Sequence, residues 1–218
     1  MKKFLLFLFA LSLSFTTFSQ MVRVNGYETI LNPKSSENLS EDLKKIQHKK
    51  YLSQDYKPAF VDNFEQQAFL RYNIFEDEME FVKDENIYYI QKEAGRKVRF
   101  IDNTLYQVYT LHGKPQFFLV HKDGKNLLLA KQEIKFVEPK KASSSYGSDK
   151  LADFKRKKDE LYLAINNTNL VKLSKSKKTF YQAFGDKAGL IKSYVKKNKL
   201  KYKSMEDLKV IVAHYNTL

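Results

Sequence analysis

The sequence predicts an α+β fold: an antiparallel β meander, barrel- or sandwich-like, followed by a small basic α-rich unit. Three observations carry that prediction. Turn-forming residues recur at spacings of about 8 to 12 between Pro58 and Pro139. The apolar period changes to a helical one beyond Leu173, and the excess positive charge is gathered in the last third of the chain.

Composition bounds the functional classes. Of 218 residues 43% are hydrophobic and 14% aromatic, too many for a disordered chain. The absence of Cys excludes disulfide scaffolds, thiolate metal sites and thiol nucleophiles. Seven scattered glycines argue against the Gly-rich loops that cradle phosphates, and so against a nucleotide-handling enzyme.

Residues 1–19, MKKFLLFLFALSLSFTTFS, have the build of a secretory signal peptide cleaved before Gln20. Lys2 and Lys3 form its basic start, Phe4 to Leu11 its apolar run, and Thr17 and Ser19 its small residues. Ser12, Ser14, Thr16 and Thr17 interrupt the run too early for a bilayer-spanning helix, which needs about 20 apolar residues. No later stretch suits a transmembrane helix, so the expectation is an exported, periplasmic or secreted chain. Residues 20–57 read as a weakly ordered N-terminal segment holding one short helix, capped by Ser40 ahead of Leu43 and Ile46.

Residues 58–142 form the antiparallel β unit. FLRYNI, EMEFV, IYYI, VRFI, TLYQVYTL, PQFFLV and NLLLA alternate with turns at Glu76-Asp77, Asp84 to Asn86, Glu93 to Gly95, Asp102-Asn103, His112 to Pro115 and Asp123-Gly124. Asp123-Gly124 is the strongest hairpin signal, because a type I′ turn needs positive φ at both central residues. Both faces of residues 117–121 are apolar, which places that strand centrally. In EMEFV, Met79 and Phe81 should point inward and Glu78 and Glu80 outward.

Residues 143–149, with SSSYGS, have the composition of a linker. Residues 150–218 then read as a basic hairpin plus helices. LYLAI and LVKL flank Asn166-Asn167-Thr168, and Phe180, Ala183 and Phe184 precede a helix stop at Gly185. Leu190, Ile191, Tyr194 and Val195 make one amphipathic stripe. Ser204 opens a further helix through the Ser-Met-Glu-Asp start, with Leu208, Ile211, Val212 and Tyr215 on one face.

Local catalytic signatures are lacking: no HExxH, GxSxG, Walker loop or Ca²⁺ loop is present. Ser193 and Lys196 have the S-x-x-K spacing of penicillin-recognising enzymes without the partner motifs. His112 and His121 could approach each other across a hairpin, but His48, His112, His121 and His214 lack metal-ligand spacing, and no metal or cofactor is expected. Glu76, Asp77, Glu78 and Glu80, with Asp84 and Glu85, are the carboxylates available to a hydrolase of envelope glycans or esters. Tyr72, Tyr88, Tyr89, Tyr106 and Tyr109 could line a pocket for a small apolar ligand, although such residues more often belong to the core.

The charge is the strongest asymmetry. Residues 150–218 hold 17 Lys+Arg against 6 Asp+Glu, out of a formal charge of +14 for the chain. Lys192, Lys196, Lys197, Lys199, Lys201 and Lys203 are the residues expected to touch an anionic lipid or lipopolysaccharide surface, or an acidic envelope protein. Lys so outnumbers Arg there that nucleic acid is not the expected partner.

The strings LRYNIFEDEMEFVKD at 70–84 and LIKSYVKKNKLKYKSMEDLKVIVAHYNTL at 190–218 resemble a family of exported Gram-negative bacterial proteins to which no activity is attached. That resemblance implies export, a β-rich middle and a helical, basic end. The function expected from the whole reading is a non-enzymatic envelope protein that binds or scaffolds. The hydrolase and the apolar-ligand carrier are its alternatives.

Overall fold

The computed structural model describes residues 21–24, 27–31, 40–62, 67–142 and 148–218. The signal peptide expected over 1–19 and residues 143–147 of the expected linker lie outside them. The chain starts with paired strands β1 (Met21–Val24) and β2 (Tyr27–Leu31). Helix α1 (Glu41–Ile46) follows, and Ser40 Oγ accepts a hydrogen bond from Leu43 N, as the sequence predicts. Next come β3 (Lys57–Val61), β4 (Ala68–Asn73), β5 (Glu78–Lys83), β6 (Asn86–Ile90), β7 (Lys97–Phe100), β8 (Leu105–Leu111), β9 (Lys114–Lys122) and β10 (Leu127–Lys131). The pair β11 (Ile134–Val137) and β12 (Asp153–Arg156) precedes β13 (Glu160–Ile165) and β14 (Asn169–Lys172). Three helices end the chain: α2 (Lys177–Gln182), α3 (Ala188–Lys197) and α4 (Met205–Tyr215).

Among the described residues all strand pairs are antiparallel, and 12 strands join in the order β1-β2-β6-β5-β4-β3-β7-β8-β9-β10-β13-β14. This is the α+β architecture with a β meander that the sequence predicts. The expected hairpin around Asn166 to Thr168 forms, β13 pairing with β14, and through the pairing of β13 with β10 it extends the same sheet. The sheet is curled. Tyr72 of β4 lies 4.8 Å, ring to ring, from Tyr106 of β8, three strand positions away. A flat sheet would hold strands that far along it about 14 Å apart. The concave face so formed encloses Leu70, Met79, Val98, Val108 and Phe117, and β11 and β12 add Ile134 and Phe154 to that cluster. Further along, Gln107 and Tyr109 of β8 donate to Asn167 Oδ1 in the β13–β14 turn, at 3.2 and 2.5 Å, so the opposite face closes over Phe118, Leu129 and Tyr162. Phe117 and Phe118 are both fully buried, as expected for a central strand covered on each side.

The turns are set by the residues able to take positive φ. Among the described residues, Asp84-Glu85 and His112-Gly113 are the two-residue connections with positive φ at both positions, the type I′ signature. Asp123-Gly124 joins β9 to β10, but only Gly124 has positive φ, and the connection has four residues, 123–126. Gly124 serves a close approach instead: a Cβ there would stand 2.5 Å from Asn216 Nδ2.

The helices pack on the end of the sheet. Phe180, Phe184, Ile191, Val195, Leu208, Ile211 and Val212 bury themselves with Leu128 and Leu163. Ser204 caps α4, its Oγ accepting from Asp207 N, as the Ser-Met-Glu-Asp start predicts. Leu190, expected in the apolar stripe, is 53% exposed, because the contact face of α3 is centred on Ile191 and Val195. Tyr194 leaves that face too and stacks on His214 at 3.7 Å. Among the described residues no helix is long and apolar enough to cross a membrane.

Two asparagines tie the last helix to the sheet. Asn216 Oδ1 accepts from Asn126 N at 2.7 Å and Asn126 Nδ2 at 3.0 Å, while Asn216 Nδ2 donates to Asn126 O at 2.9 Å. Asn126 Oδ1 in turn accepts from Asn166 N. Asn126 is buried, so losing its partner strands polar groups away from water. Asn216→Ala should therefore cost about 1–3 kcal/mol in urea unfolding, with the sheet's circular dichroism unchanged; a cost indistinguishable from zero would show that water replaces the amide.

Candidate functional site

Two charged regions deserve the name of candidate site. The first is the β4–β5 turn with its carboxylates. Glu76 accepts from Lys50 Nζ and Tyr89 OH, each at 3.0 Å. Asp77 accepts from Tyr72 OH and Lys131 Nζ, both at 2.6 Å, and from Phe117 N at 3.3 Å. Glu78 pairs with Lys92 at 2.6 Å. Glu80, expected to face outward, is only 2% exposed. Tyr51 lies over it, and its carboxylate is held by Arg71 at 2.7 Å and by Asn73 and Tyr51. The sequence conceals this pocket because Tyr51 lies outside the meander and arrives only by tertiary folding.

These carboxylates are thus spent on holding strands together. Tyr72 and Tyr106 are core residues with satisfied hydroxyls, the latter donating to Gln132. Burial pushes both phenols above their ordinary range. Burial also lowers the Lys131 ammonium, against the pull of Asp77. A cleft of about 820 Å³ opens beside the turn, lined in part by Glu76, Asp77, Lys92, His112, Lys131 and Tyr162. A smaller cavity of about 160 Å³ enters the concave face between Leu70, Tyr72, Phe100 and Tyr106.

The histidines do not meet. His112 stands in the turn before β9 and His121 near its far end, about 30 Å apart along an extended strand. His121 Nε2 is buried with no hydrogen-bond partner among the described residues, and burial lowers the ring's pKa. Ser193 and Lys196 both face outward on α3. Among the described residues no group of three or more His, Cys, Asp or Glu is placed to hold a metal ion.

The second region is the basic end. Lys192 and Lys196 project from α3, Lys197 lies on its outer surface, and Lys199, Lys201 and Lys203 occupy the connection to α4. All six are exposed, and none forms an ion pair among the described residues. Five of them, all but Lys197, line one groove of about 500 Å³. Lys177 of α2 joins them, while Tyr181, Val195, Leu200 and Tyr202 form the apolar walls. No acidic residue lines it. Lys199 takes φ of 54°, the left-handed turn that ends α3 and swings the connection back along it. Lys203 Nζ lies 5.6 Å from the centre of the Tyr202 ring.

The sequence foretells the lysines but not the groove. Its missing walls come from Lys177 and Tyr181 on a helix in which no lysine was singled out, and from the backbone reversal at Lys199. Comparison with known proteins finds no matching family model, curated protein or solved structure.

Glu78 makes the acidic turn pH-sensitive. Burial, opposed by Lys92, raises its pKa from 4.5 to about 7. The folded chain then holds a proton that the unfolded chain has released, so the Glu78 contribution to stability falls as pH rises from 4.5 to about 7 and is flat above. The whole effect is at most about 3 kcal/mol. Thermal melts at about pH 5 and about pH 8 should show Glu78→Gln losing less stability than the parent over this interval; identical losses would mean that Lys92 keeps the carboxylate ionised throughout.

Proposed function

We propose that this chain is an exported, non-enzymatic protein of the bacterial cell envelope that binds or scaffolds, docking on anionic surfaces through its helical end. The observation that carries the reading is the set of six exposed lysines, 192, 196, 197, 199, 201 and 203, without ion-pair partners among the described residues. Exposed lysines without ion pairs among the described residues also occur elsewhere, Lys83, Lys114, Lys125 and Lys135 among them, but here five gather around one groove. In the sheet Lys50, Arg71, Lys92, Arg96 and Lys131 all have carboxylate partners. Export rests on the Lys2-Lys3 start and the Phe4 to Leu11 apolar run.

Attraction is worth about 1 kcal/mol for each Lys held near an anionic leaflet, and salt screens it. The hydrolase alternative would need carboxylates free to act, whereas Glu76, Asp77, Glu78 and Glu80 are each engaged with a cation. For the carrier alternative the concave face offers a cavity of about 160 Å³, small beside the roughly 300–1,000 Å³ of typical ligand pockets, while the cleft of about 820 Å³ is edged by Glu76, Asp77, Lys92 and Lys131.

Co-sedimentation with phosphatidylglycerol-rich vesicles is the direct measurement. The parent chain should pellet at low salt and be released as salt rises. Replacing the six lysines together by Gln should lower the bound fraction at least about tenfold without lowering the melting transition. Salt-insensitive binding, or full binding by the Gln variant, would remove the lysines as the docking surface.

A further inference from the structure

Diffuse attraction to a charged surface needs no concavity, yet the lysines surround one. Lys192 and Lys196, one helical turn apart on α3, line it together with Lys177 of α2 and with Lys199, Lys201 and Lys203 of the connection to α4. Its walls are apolar: Val195 and Tyr181 are buried, and Leu200 and Tyr202 are half-buried beside them. The backbone there has little left to offer. Leu200 N donates to Val195 O and Lys201 N to Asp207 Oδ2, so the charged donors presented to a ligand are the ammonium groups, with the Tyr181 and Tyr202 hydroxyls beside them.

We propose that this groove holds the phosphomonoester headgroup of a single anionic membrane lipid, an inference that rests on the envelope docking proposed above. The ring of cations is entirely lysine. Ammonium groups act as compact point charges without a preferred plane, and lysine serves as a phosphate binder in that way. A phosphomonoester carries about −1.5 to −2 charges near neutral pH, the kind of concentrated charge that several converging ammonium groups can share. The apolar walls exclude a bare ion as the best-matched occupant. They fit the glycerol and first methylenes that follow a lipid phosphate, which would lie against Tyr181, Val195 and Tyr202 while the phosphate meets the lysines. The volume of about 500 Å³ falls within the range of small-ligand sites.

The test separates the groove from general attraction by removing the membrane. Dihexanoyl phosphatidic acid, kept below its micelle concentration, is titrated into the full chain by calorimetry, with inorganic phosphate and dihexanoyl phosphatidylcholine as comparison ligands. The expected result is saturable binding of one phosphatidic acid per chain, with inorganic phosphate and phosphatidylcholine each at least about tenfold weaker. Lys196→Gln and Lys201→Gln should each weaken it by about tenfold, the scale of one charged hydrogen bond. Lys178→Gln, on α2 but outside the groove, should match the parent. Equal weakening by Lys178→Gln, or inorganic phosphate binding as tightly as the lipid, overturns the proposal. Salt-releasable vesicle binding without saturable uptake of the soluble lipid overturns the groove but leaves the docking; loss of both overturns both.

Discussion

The curl of the sheet depends on one carboxylate. Asp77 sits at positive φ in the β4–β5 turn, and its two oxygens accept from Tyr72 OH, Lys131 Nζ and Phe117 N. These donors belong to β4, β10 and β9, so a single side chain holds the turn against strands four and five positions away in the sheet. A carboxylate so placed needs a cation, because a buried charge left alone costs several kcal/mol. Lys131 supplies it although burial lowers the Lys131 pKa, and each partner is tolerable only with the other. Once the turn is fixed, Tyr72 packs on Tyr106 and Phe117, and the concave core closes around them.

That dependence explains what the sequence shows and what it conceals. The strands 78–83, 86–90, 105–111, 114–122 and 127–131 are legible because local period and turn residues agree. The helix starts at Ser40 and Ser204 are legible because a cap is a local hydrogen bond. Residues 134–137 and 153–156 are not. DFKR has no apolar alternation, and it becomes a strand because Phe154 reaches Phe136 and the main core. Glu80 misleads for the same reason: alternation places it outward, correctly for the face, but Tyr51 covers that face from outside the meander. Asp123-Gly124 carries the strongest turn signal and takes another shape, because Asn216 fills the space its Gly leaves.

The candidate site divides likewise. Six lysines can be read from composition, since charge needs no knowledge of packing. The groove requires three elements brought together by a core of Phe180, Phe184, Ile191 and Leu208, and tertiary contacts of that kind leave no short-range trace.

The balance of charge in the last third shows why the groove lysines look outward for partners. That segment has six acidic residues; five are paired with cations that do not line the groove, and Asp207 is held by a backbone N–H at its edge. Asp153 pairs with Lys49, Asp159 with Arg156, and Glu160 with Lys172. Asp186 pairs with Lys187, Glu206 with Lys209, and Asp207 accepts from Lys201 N. No carboxylate lines the groove or pairs with its lysine ammonium groups among the described residues. Mutual repulsion in that cluster is a cost of folding, offset by the apolar burial beneath it, and an external anion would relieve it on binding. The same carboxylates that stabilise the sheet and cap the helices thereby leave the groove's positive charge uncompensated, which links the fold's ion pairs directly to the proposed docking.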